Sequence, residues 1–115
     1  MSIKRIESSS RMSQAVIHGD TVYLAGQVAA DANADIKGQT RSVLEKIDKL
    51  LAEAGTSKAN LLSTVIYLSD MRTFAAMNEV WDGWVDQANP PARATVGALL
   101  ATPDYLVEIM VIAAK

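Results

Sequence analysis

The stretch DIKGQTRSVLEKIDKLLAEAG, residues Asp35 to Gly55, decides most of the fold. Ile36, Thr40, Val43, Leu44, Ile47, Leu50, Leu51 and Ala54 recur every three or four residues, and Arg41, Glu45, Lys46, Asp48, Lys49 and Glu53 fall mostly between them. That spacing predicts an amphipathic helix with one apolar stripe and one solvated face. Asp35 stands where an N-cap belongs, and Gly55 where a helix closes on a left-handed residue. Such a stripe needs a surface to pack on, and the flanking residues supply strands.

Leu61 to Ser69 is rich in β-branched residues. Strict alternation puts Leu62, Thr64, Ile66 and Leu68 on one face and Leu61, Ser63, Val65 and Tyr67 on the other. A strand apolar on both faces wants covering on both. Upstream, Ala15–His18 and Thr21–Ala25 surround Gly19-Asp20 and predict a tight hairpin. Ile3 and Ile6 suggest a short first strand. Downstream, a second helix is predicted from about Thr73 to Gln87, with Phe74, Met77, Trp81, Trp84 and Val85 on one side. Asp70 is its candidate cap, and Asn89-Pro90-Pro91 ends it, since proline cannot extend a helix. Ala92–Ala98 and Tyr105–Ala113 make two closing strands around a Thr102-Pro103-Asp104 turn.

The order β-ββ-α-β-α-ββ predicts an α+β sandwich, with two helices on one face of a mixed sheet. Its other face, with Val65, Tyr67 and much of 105–113, would be apolar and wet in a monomer. A homo-oligomer packed through sheet faces is therefore expected.

Composition narrows the chemistry. At 115 residues the chain is expected to be one domain, 1–115. It has no cysteine, which excludes thiolate zinc sites and a cysteine nucleophile, and its single histidine, His18, excludes a multi-histidine metal centre. Eleven basic against thirteen acidic residues argue against a nucleic-acid partner. The N-terminus has no apolar secretory core, and no run reaches the ~20 apolar residues a membrane helix needs. A cytoplasmic location without membrane partners is expected.

What remains is a handful of polar residues in apolar settings. Arg93 opens the strand after Pro90-Pro91-Ala92, and Glu108 is the one charged residue of the last strand. They read either as an anion site, with Arg93 clamping a carboxylate and Glu108 acting as base or water holder, or as a structural ion pair between adjacent strands. Asn78, one turn before Trp81, is either a site residue or an amide satisfied by its neighbours. His18 reads as an exposed or capping residue beside a turn. Trp81, Trp84 and Phe74 read as core or interface. Glu79, Asp82 and Asp86 around them do not suit a base-stacking platform.

Three motifs in order resemble one known family. Pro91-Ala92-Arg93 followed by Val107-Glu108-Ile109 looks like the signature of the RidA (YjgF/YER057c) proteins. Tyr23-Leu24-Ala25-Gly26-Gln27 resembles their early strand, and Phe74-Ala75-Ala76-Met77-Asn78 with Trp81 resembles their second-helix motif. The match covers nearly the whole chain.

The resemblance implies a chorismate-mutase-like fold and a homotrimer with three inter-subunit clefts. It implies cofactor-free, metal-free hydrolysis of enamines and 2-imino acids to 2-oxo acids and ammonia. Arg93 would hold the substrate carboxylate and Glu108 the attacking water, with Gly26, Thr95, Asn78 and Met12 lining the pocket. Archetypal members carry tyrosine near Met12, serine at Ala25 and cysteine at Thr95, so this chain looks like a non-archetypal branch. The alternative is a carboxylate-binding regulatory trimer without turnover. A ribonuclease or translation-inhibitor role fits the charge balance less well.

Overall fold

The long helix forms where its stripe demands. The computed structural model describes residues 1–115, and α1 runs over Ile36–Glu53 with the Asp35 carboxylate accepting from the Gly38 amide at 2.8 Å. Gly55 closes it with φ of 84°, a left-handed backbone that glycine adopts without steric cost. Around it lie strands β1 (Ile3–Ser8), β2 (Ser13–His18), β3 (Thr21–Leu24), β4 (Leu61–Leu68), β5 (Ala92–Gly97) and β6 (Val107–Ala114), with helix α2 at Phe74–Trp84. The six strands form one sheet in the order β1-β2-β3-β6-β4-β5. Every neighbouring pair is antiparallel except β4 and β5. The expected α+β architecture and element order stand.

Both helices lie on one face of the sheet. Val43, Leu44, Ile47, Leu50 and Leu51 of α1 pack with Met77 and Trp81 of α2 against Ala15, Ile17, Val22, Leu24, Ile66, Leu68, Val107, Ile109, Val111 and Ala113 in one buried cluster. The other face carries Val16, Tyr23, Ile112, Met110, Val65, Tyr67, Ala94 and Val96, as the cross-strand register dictates. No helix of the chain covers it. Tyr23 remains 45% and Val96 41% exposed.

Several local expectations are corrected. A bulge between Leu61 and Ser63 turns Leu61 inward and Leu62 outward; the extra residue inverts the alternation at the start of β4. Helix α2 ends at Trp84, three residues short of Gln87, because Val85 already takes an extended backbone. The Asp70 carboxylate caps a separate short turn, Met71–Thr73, through the Arg72 amide. β6 begins at Val107 and not Tyr105, because the Leu106 amide is bound by Gln39 Oε1 at 2.9 Å.

The largest correction concerns the closing strands. β5 and β6 are not neighbours, because β4 lies between them. An ion pair bridging adjacent strands through Arg93 and Glu108 is therefore ruled out. The two ion pairs of the chain are Lys37–Glu79 and Arg72–Asp70.

Candidate functional site

Register decides where the candidate residues point. Arg93 pairs with Thr64 in the parallel β4–β5 ladder, so its side chain leaves the sheet on the same face as buried Thr64, towards the helices. There Arg93 Nη1 donates to Asn78 Oδ1 at 2.8 Å. Its guanidinium carbon lies 5.4 Å from the centre of the Trp81 ring and 5.9 Å from that of Phe74. Thr95 follows on the same face, opposite Ile66. The Thr64 and Thr95 hydroxyl oxygens are both buried without a hydrogen-bond partner.

Glu108 stands opposite Tyr67, and Tyr67 belongs to the open face. Its carboxylate lies directly over Gly26, where a Cβ would collide with it. Gln27 locks this segment to β6 by two backbone bonds to Ile109, of 2.9 and 3.1 Å. Close approach explains the glycine, because any side chain at 26 would take the space of the acid. Glu108 forms no ion pair.

The six predicted site residues thus divide. Arg93, Asn78 and Thr95 come together at the β5 edge on the helix side. Gly26 and Glu108 come together on the open side, and Met12 lies exposed in the turn between β1 and β2. His18 is exposed at the end of β2. The arginine cluster can present a planar cation to an anion. The glutamate is a half-buried acceptor suited to holding a water or taking a proton. The chain holds no group of three or more His, Asp or Glu placed to bind a metal ion.

Sequence reasoning missed three contributors. Phe74 and Trp81 read as core or interface but flank the arginine. Gln39 is fully buried: its Nε2 reaches the carbonyls of Ala32, Ala34 and Asp104 at 3.2, 3.1 and 2.9 Å, while its Oε1 takes the Leu106 amide. It ties the loop before α1 to the segment entering β6. The signal was present, since Gln39 falls on the apolar phase of α1 between Ile36 and Val43.

Comparison with known proteins agrees with this architecture. The family model described as "Endoribonuclease L-PSP" matches residues 2–115. A RutC family protein of Haemophilus influenzae is 48% identical over 116 residues, covering 98% of each chain. The crystal structure of a YjgF-family member from Neisseria meningitidis superposes with a TM-score of 0.97 at 43% identity, covering 100% of this chain and 96% of that one. A Rid-family protein of unknown function from Yersinia pestis superposes with a TM-score of 0.90 at 29% identity, covering 99% and 100%. With this identity running the full length and both helices on the same face of the same sheet, the chain belongs to the RidA/YjgF/RutC family.

Proposed function

We propose that the protein hydrolyses reactive enamines and 2-imino acids to 2-oxo acids and ammonia without a cofactor, in a cleft built by two copies of the chain. The observation that carries this reading is the Arg93 guanidinium, exposed and held by neutral neighbours, with only one N–H donor engaged within the chain. Its remaining donors suit a carboxylate in a two-bond grip.

The chemistry asks little of the protein. A protonated imine is already electrophilic, so the catalyst must orient it and place a water about 3 Å from the imine carbon. Glu108 takes a proton from that water as the new C–O bond forms. The same proton then passes to the nitrogen, Glu108 takes the hydroxyl proton as the C–N bond breaks, and the carbonyl leaves with ammonia, which carries that proton off as ammonium. One water is consumed, and neither an oxidant nor a metal enters the balance.

Arg93 and Glu108 leave opposite faces of one sheet, so a single chain does not close this site. Our reading is that a neighbouring copy brings Gly26 and Glu108 to the β5 edge of the first, where Arg93, Asn78 and Thr95 stand. The uncovered apolar face, with exposed Tyr23 and Val96, supports the packing of sheets into a homotrimer with three such clefts. In this reading Met12, Ala25 and Thr95 support a non-archetypal branch with its own pocket wall. No helix is long and apolar enough to cross a membrane, and we place the protein in the cytoplasm.

The test generates 2-imino acids with an amino-acid oxidase and follows their loss by semicarbazide trapping. Wild type should accelerate release of 2-oxo acid, while Arg93→Ala and Glu108→Gln should not, at equal melting temperature. Light scattering should give the mass of three chains. Protection against melting by 2-oxo acids without acceleration would instead favour a carboxylate-binding regulator, a reading that the altered positions Met12, Ala25 and Thr95 keep in play. The ribonuclease named in the family model's description requires a phosphate-binding surface, which a chain of net charge −2 is poorly suited to supply.

A further inference from the structure

We propose that Phe74, Asn78 and Trp81 form a cradle on α2 that positions the Arg93 guanidinium for a carboxylate without neutralising it; the inference rests on the reading of Arg93 as the substrate clamp. The three residues are spaced i, i+4 and i+7, so they line one stripe of the helix. Seven residues of helix rise about 10.5 Å. The guanidinium carbon lies 5.9 Å from one ring and 5.4 Å from the other, and the guanidinium bonds the amide of Asn78 between them in sequence, so it meets all three residues of the stripe.

The chemistry of the cradle is its point. An arginine on an exposed edge strand would usually be steadied by a carboxylate, which would also occupy its fork and cancel its charge. Here the partners are two aromatic faces and one amide oxygen. Ring faces attract a cation through their quadrupoles while carrying no net charge. The amide oxygen takes a single N–H. Arg93 is thereby immobilised with its positive charge intact and most of its donors free, which is the state that binds an anion with least reorganisation.

Core packing does not account for the stripe. Trp81 is buried and serves the core as well. Phe74 is 39% exposed and takes no part in the buried cluster. Its ring instead faces the guanidinium, 5.9 Å from the guanidinium carbon. Phe74 is thus a positioning residue, and Asn78 acts through Arg93 as well.

The experiment measures pyruvate affinity by calorimetry, imine hydrolysis, melting temperature and mass by light scattering in Phe74→Leu, Phe74→Tyr and Asn78→Asp. Phe74→Leu should weaken pyruvate binding and raise KM about fivefold, the size of an exposed cation–π contact, with kcat, melting temperature and mass unchanged. Phe74→Tyr should restore wild-type affinity. Asn78→Asp should hold Arg93 more tightly yet weaken pyruvate binding by at least about tenfold, because the new carboxylate competes for the fork. Wild-type affinity in Phe74→Leu or in Asn78→Asp overturns the proposal, and so does a loss in Phe74→Leu that accompanies a change of mass. Failure of the wild type to bind pyruvate overturns it too. Absence of imine turnover with the cradle effects intact would refute the deaminase reading alone.

Discussion

Gly26→Ala separates fold from chemistry most sharply. Gly26 has no need of a left-handed backbone; the positive-φ glycines are Gly19 and Gly55. An alanine is therefore conformationally acceptable there, and the reduced freedom of the unfolded chain favours it by about 0.4–1 kcal/mol. Against this, the new Cβ would overlap one Glu108 carboxylate oxygen and stand 3.0 Å from its Cδ and 3.2 Å from its Cγ. The obstacle is the end of a flexible side chain, so the protein relieves it by rotating Glu108 away, at a cost of about 0.5–1.5 kcal/mol if the rotamer is strained. The two terms nearly cancel, and the melting temperature should stay within about 4 °C of wild type. Catalysis has no such compensation. Displacing the group that activates the water should cost about 100-fold in kcat, or about 2.7 kcal/mol of barrier. Semicarbazide-trapped imine hydrolysis reads the rate, pyruvate binding checks that the Arg93 side of the cleft is unaffected, and calorimetry reads the stability. Wild-type activity in a folded Gly26→Ala protein would refute the assignment of Glu108, because the alanine cannot coexist with the acid where it stands.

Other expectations follow from single contacts. Gln39→Leu removes the partner of three carbonyls and one amide and should destabilise by at least about 2 kcal/mol, measured by urea unfolding. Thr64→Val removes a buried hydroxyl that has no partner. It should raise the melting temperature by about 4 °C, the shift expected for about 1 kcal/mol in a chain of this size. Acid should act through two exposed pairs. The hydrogen bond from Arg72 holds Asp70 below its usual 3.8, and that from Lys37 holds Glu79 below its usual 4.5. Lowered carboxyl values mean stability that is fully present above these usual values and lost as pH falls through the lowered ones. Melting curves should therefore be flat from neutral pH to about 5 and decline below 4, with a shallower decline in Asp70→Asn and Glu79→Gln.

Legibility in the sequence tracked how local each signal was. The stripe of α1, its cap at Asp35 and its stop at Gly55 depend on neighbours within a few turns, and all were readable. So was the hairpin at Gly19-Asp20. The inversion at Leu61 and Leu62 was not, because a bulge depends on what the partner strand does opposite it. The short end of α2 was misjudged because Val85, Asp86 and Gln87 carry no local prohibition against a helix. Arg93, Glu108 and Gly26 were legible as residues of interest, through a charge in an apolar strand and through motif resemblance. Phe74 and Trp81 belonged to a motif as well, but their contact with Arg93 was not legible, since an aromatic at helical spacing reads as core until its neighbour across the fold is known.

Local patterning was enough to mark the helices and strands, the open sheet face and the few polar residues in apolar company. How those residues combine was settled by the packed fold. β4 enters the sheet between β5 and β6, and this long-range pairing sends Arg93 to the helices and Glu108 to the open face. The reason is physical: side-chain periodicity is written within a strand, but which strand lies beside it, and in what register, is set by the packing of the whole core.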